Sequence, residues 1–170
     1  ILKEEVFKSK KYLIYFKNSE IPVYDELIKI TKKIQSFKPD LILAIGGGTV
    51  IDYAKMSNVV DIRPDLPDLI NNYSFPFNNR KSKLAVIPTT AGSGAEVTSN
   101  AVIYLEGIKY SFESNLLIPD YFLLFPEFLI SAPKKIKASA GFDAIAQALE
   151  SLISRKSNTE SVNFASKSLE

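Results

Sequence analysis

Residues 41–55, Leu-Ile-Leu-Ala-Ile-Gly-Gly-Gly-Thr-Val-Ile-Asp-Tyr-Ala-Lys, narrow the choice of fold most, because an apolar strand runs through three glycines directly into a helix. The unbroken run Leu41 to Ile45 has the pattern of a parallel strand covered on both faces. Gly46, Gly47 and Gly48 allow a sharp turn and let a ligand approach the backbone with no β-carbon in the way. Thr49 is placed to cap the following helix, whose unpaired N–H groups and positive dipole end favour an anionic oxygen. The spacing is neither of the two common phosphate-loop patterns, so a turn that merely connects stays open as the alternative.

A second apolar strand, Leu84 to Ile87, breaks into Pro-Thr-Thr-Ala-Gly-Ser-Gly-Ala-Glu-Val-Thr at residues 88–98. Thr89, Thr90 and Ser93 offer hydroxyls, and Gly92 and Gly94 allow close approach, without enough bulk to fill a core. A surface turn is the plain alternative. In residues 141–150, Gly-Phe-Asp-Ala-Ile-Ala-Gln-Ala-Leu-Glu, Asp143 and Gln147 stand one helical turn apart on one face, which suggests a cation site.

The three segments, in this order, resemble the iron-containing (group III) alcohol dehydrogenase family from about residue 12 to the end of the chain. The resemblance implies a Rossmann-like, doubly wound parallel α/β sheet of the dehydroquinate synthase-like fold, followed by the start of an all-α domain. It divides the chain into a dinucleotide-binding domain at 1–132, lacking the first βα unit, and the beginning of a helical metal-binding domain at 133–170. It further implies NAD or NADP as cofactor, held by Gly46, Gly47, Gly48, Thr49, Asp52, Thr89, Thr90, Ser93 and Lys109. Asp52 in a first helical turn also simply complements the helix dipole, and Lys109 also reads as an exposed hairpin lysine.

For the metal, Fe2+ or Zn2+, the resemblance implies Asp143 and the residue four positions on, where the family commonly has histidine and this chain has Gln147. An amide oxygen is a harder and weaker donor than imidazole, better suited to Mg, Mn or Ca. Phe125 stands where the family usually has aspartate. The sequence contains no histidine, so the family's two downstream histidine ligands are absent from it. Gln147 with Ser-Asn-Thr-Glu-Ser at 157–161 is similar to the phosphonoacetaldehyde reductase branch.

The implied activity is hydride transfer between nicotinamide and a small alcohol or aldehyde, with a polarising metal and no protein general base to name. This chain is expected to be a fragment or truncated product, inactive alone, since Ile1 is not a natural start and residues 159–170 end inside a helical pattern. The alternatives are a catalytically silent nucleotide-binding fragment and a dehydroquinate synthase-like lyase.

Composition agrees with one ordinary globular domain of 170 residues, 46% hydrophobic, which buries about 70% of its unfolded surface. Twenty-one basic and nineteen acidic residues, scattered along the chain, give no electrostatic footprint for nucleic acid. No apolar run reaches the ~20 residues of a membrane span, and the absence of cysteine is compatible with a reducing compartment, so a cytoplasmic location is the default expectation. A homo-oligomer stays open.

The remaining pattern predicts a strand at Tyr12 to Phe16, a helix at 23–37 and a helix at 50–60. An irregular connection at 61–83 follows, then a hairpin turning at Glu106-Gly107, a strand at Tyr121 to Phe125, and helices at 136–154 and 159–169.

Overall fold

The computed structural model describes residues 10–170. Helix α1 (Tyr24–Phe37) buries Leu27 and Thr31, begins with Asp25 and Glu26 at its positive end, and closes where Lys38 turns left-handed before Pro39. Strand β1 (Leu41–Gly46) leads into helix α2 (Gly48–Val59), and strand β2 (Lys83–Pro88) lies parallel to β1. The register sets Gly46 beside Pro88, so both glycine-bearing loops leave the sheet at the same carboxyl edge.

Between these strands the connection expected to be irregular holds a short helix, α3 (Leu66–Asn71). Pro67 is tolerated in its first turn, and Leu66 and Ile70, one turn apart, are fully buried. Strands β3 (Asn100–Leu105) and β4 (Ile108–Glu113) form the expected antiparallel hairpin, with Glu106 and Gly107 both at positive φ, as a two-residue turn of this hand requires.

Strand β5 (Tyr121–Phe122) adds to β2 in parallel but ends short of Phe125. Leu123 still donates its N–H to the Val86 carbonyl at 3.0 Å, yet the next rung needs an N–H from residue 88, which is proline. Helix α4 (Glu127–Ile130), then α5 (Lys134–Ile153) and α6 (Thr159–Leu169), complete the chain, with α5 and α6 packed as a helical hairpin. Phe125 packs its ring on Phe128 at 5.5 Å between centroids.

Helix α2 is sandwiched. Ile51 and Ala54 pack on Ala44, Leu84 and Val86 of the sheet, while Tyr53, Met56 and Val59 join Leu27, Ile103 and Phe112 in a second core with α1 and the hairpin. Consequently even Lys55, Ser57 and Asn58 are buried. The expectation that β1 is covered on both faces is not met: Leu41, Leu43 and Ile45 are 51%, 41% and 41% exposed, because α2 covers only the side carrying Ala44.

Residues 12–16 form no strand either. The stretch 15–19, together with Tyr53, instead surrounds the Glu26 carboxylate, which accepts hydrogen bonds from the backbone N–H groups of Asn18 (2.5 Å) and Ser19 (2.8 Å), the Ser19 hydroxyl, and the hydroxyls of Tyr15 and Tyr53 (3.3 Å each). Burial alone raises the Glu26 pKa, but the bonds from Ser19, Asn18 and Tyr15 outweigh it and hold the carboxylate below its ordinary range. A depressed carboxylate pKa adds stability that is complete above the unfolded value and is lost as pH falls through the folded one. Glu26→Gln is therefore expected to cost about 1–3 kcal/mol at neutral pH. Urea unfolding should show that deficit shrinking in the acid range, where the native glutamate is itself neutralised.

Candidate functional site

At the carboxyl edge of the sheet the Thr89 N–H donates to the Gly46 carbonyl at 3.0 Å, extending the β1–β2 pairing into both loops. The second loop then folds over the glycine turn. A β-carbon on Gly47 would lie 3.1 Å from Thr90 Oγ1, and one on Gly48 would lie 3.2 Å from Ser93 Oγ. On Gly46 it would meet Val50 Cγ2 at 2.5 Å. None of these three glycines has a positive φ, so they are required here for proximity and not for a left-handed turn.

The cap is also not the expected one. Gly47 occupies the N-cap position of α2 with no side-chain cap, and the Thr49 hydroxyl donates to the Glu20 carbonyl at 3.1 Å. The helix N-terminus is thus left uncapped beside the Thr90 and Ser93 hydroxyls, an arrangement suited to an anionic oxygen.

Asp52 points into the protein. Its carboxylate accepts the Val102 N–H at 3.2 Å, joining α2 to β3, and burial pushes its pKa up to about 6 against the opposing effects of that bond and of the Lys55 and Lys109 charges. Lys109 is exposed on β4, opposite Tyr104, with its charge felt at Asp52. Lys55 gives no signal of its own in the sequence, being one of several polar residues in α2. It is fully buried, and burial pushes its pKa down to about 8 despite Asp52 and Glu96.

The helical segment meets the second loop at Gly92, where an added β-carbon would lie 2.2 Å from the Ala140 carbonyl oxygen. Gln147 Nε2 donates to the Gly92 carbonyl at 3.2 Å and to Asp143 Oδ2 at 3.0 Å. A cavity of about 210 Å³ opens here, between Thr89 and Thr90 on one side and Leu129, Ile136 and Lys137 on the other. A larger depression of about 500 Å³ lies at the opposite, amino end of the strands. Three of its cations are engaged, Arg80 and Lys83 by Asp120 and Lys81 by Asp61.

The structure therefore brings together Gly46, Gly47, Gly48, Thr89, Thr90 and Ser93 as one surface, and Asp143 with Gln147 as another. The second pair does not make a divalent-metal site by itself. Gln147 turns its amide nitrogen to Asp143, and among the described residues no three His, Cys, Asp or Glu side chains gather to hold an ion. A divalent cation takes about four to eight donors.

Residues 3–126 match the family model for iron-containing alcohol dehydrogenase. The chain belongs to that family. Among curated relatives of this chain, 1-propanol dehydrogenase of Citrobacter freundii is 34% identical over 139 residues, covering 81% of this chain and 34% of its own. The solved iron-containing alcohol dehydrogenase of Thermotoga maritima superposes with a TM-score of 0.79 at 29% identity, over 92% of this chain and 43% of that one. Sulfoacetaldehyde reductase of Bifidobacterium kashiwanohense, solved in complex with NAD+, gives 0.70 at 28% identity, over 78% and 36%. The chain spans between 16% and 36% of the length of the curated relatives it matches.

A β-carbon at Gly92 would collide with the Ala140 backbone of α5, so Gly92→Ala must push the loop and the helix apart. Thermal or urea unfolding should show a loss of about 1–3 kcal/mol, with proteolysis of the 130–140 segment accelerated. Unchanged stability would mean that the contact is loose.

Proposed function

We propose that this chain supplies the dinucleotide-binding part of a metal-dependent NAD(P) alcohol dehydrogenase or aldehyde reductase acting on a small alcohol or aldehyde. The observation that carries the reading is the packing of the Thr90 and Ser93 hydroxyls against the Gly47–Gly48 turn at an uncapped helix N-terminus. Anionic ligands of parallel α/β sheets sit at such carboxyl edges. The names of the relatives, and the NAD+ complex of one of them, support the same class of chemistry.

In this reading the backbone N–H groups of the glycine turn hold the diphosphate. Thr89, Thr90 and Ser93 orient the ribose and nicotinamide end toward the cavity beside Ile136, and Lys109 offers its ammonium near the ribose. A nicotinamide held there would supply hydride chemistry, donating to an aldehyde's carbonyl carbon or accepting from an alcohol's carbinol carbon. Asp52 belongs to the frame, since its carboxylate is engaged by Val102. Asp143 and Gln147 contribute one edge of the metal site in the whole enzyme, and the 170 residues by themselves bind dinucleotide without turning over alcohol.

Fluorescence titration with NADH and NADPH tests this directly. Saturable binding by the chain is expected, weakened at least about tenfold, or about 1.4 kcal/mol, by Gly47→Val, with the circular dichroism unchanged. No binding of either dinucleotide would overturn the assignment. Alcohol-dependent reduction of NAD+ by this chain with added Fe2+ or Zn2+ would overturn the claim of binding without turnover.

A further inference from the structure

Lys55 is the largest fully buried side chain that the proposed chemistry leaves unused. It stands two turns into α2, on the helix whose N-terminus faces the glycine turn. Its ammonium donates to the Thr98 carbonyl at 2.8 Å, the Thr98 hydroxyl at 3.1 Å and the Asn100 carbonyl at 3.0 Å. An ammonium has three protons, and all three are placed.

The acceptors lie where the second loop ends. Residues 89–99 leave β2 at Pro88 and enter β3 at Asn100 with no helix or strand of their own, turning at Gly94 with φ +59°. One end of this loop is fixed by the bond from the Thr89 N–H to Gly46. Lys55 fixes the other. Between these two pins Thr90 and Ser93 meet Gly47 and Gly48.

Packing alone does not explain a lysine here, because methionine would fill similar space without the cost of burying a charge. The groups around the ammonium are Asp52 on the same helix and Glu96 on the loop, both attractive to it.

We propose that Lys55 is a positioning residue that clamps the Thr89–Thr98 loop to helix α2, holding both ligand-facing loops in one geometry for the dinucleotide. The inference rests on the dinucleotide reading given above. It adds that binding depends on a residue that never touches the ligand.

The test compares Lys55→Met and Thr98→Val with the native chain in NADH affinity and in amide hydrogen exchange, each below its own melting temperature. Lys55→Met should weaken NADH about tenfold and Thr98→Val about threefold, the losses expected from removing the whole clamp or one of its bonds. Exchange should accelerate across 89–98 and stay unchanged in β1. An NADH affinity within about twofold of native in a folded variant would reduce Lys55 to a structural anchor and overturn the proposal. If Lys55→Met does not fold, Thr98→Val decides by the same readings. If the native chain binds no NADH, the dinucleotide reading fails on its own account, and unaltered exchange over 89–98 in Thr98→Val separately refutes the clamp.

Discussion

Helix α2 is buried on two sides, by the sheet through Ile51 and Ala54 and by α1 and the hairpin through Tyr53, Met56 and Val59. A helix held this way cannot shift along its axis without disturbing both cores, so its N-terminus is fixed relative to the strand ends. The parallel register of β1 and β2 supplies the matching constraint by bringing Gly46 and Pro88 side by side. From these two facts the meeting of the glycine turn with Thr90 and Ser93 follows.

The polar residues buried in α2 are a consequence of the same sandwich. Asp52 reaches β3 through Val102, Lys55 reaches the loop end through Thr98 and Asn100, and Asn58 accepts from the N–H groups of Lys81 and Ser82. Each ties the central helix to a different flanking segment, and no buried side-chain polar atom lacks a partner among the described residues. By contrast the helical hairpin is thinly attached. It touches the loop through Gly92 and Gln147 and leaves Phe142, Ile153 and Phe164 exposed.

Much of this was readable in the sequence where local chemistry decides the outcome. Strand, glycines and helix at 41–59, the Glu106-Gly107 hairpin and both C-terminal helices need only hydrophobic period and turn residues. The family resemblance named candidate residues on the two loops that the structure joins, along with Asp52 in α2 and Lys109 on β4. What stayed hidden depends on tertiary neighbours. The apolar run of β1 could not reveal that one face is open, and Pro88, not the sequence of 121–125, ends β5. Lys55 and Asp52 look like an ordinary i, i+3 surface pair until α2 is known to be surrounded. With Thr49, Asp52, Lys55, Ser57 and Asn58 among its residues, α2 carries no signal in the sequence that both its sides are covered.

The account stands on the two loops forming a single anion-facing surface, and amide hydrogen exchange with and without NADH measures that most directly. Added NADH should slow exchange together at residues 46–50 and 89–94 while leaving the 106–107 turn unaffected. Protection of only one loop, or of neither, would contradict the claim that β1 and β2 deliver both to a shared ligand.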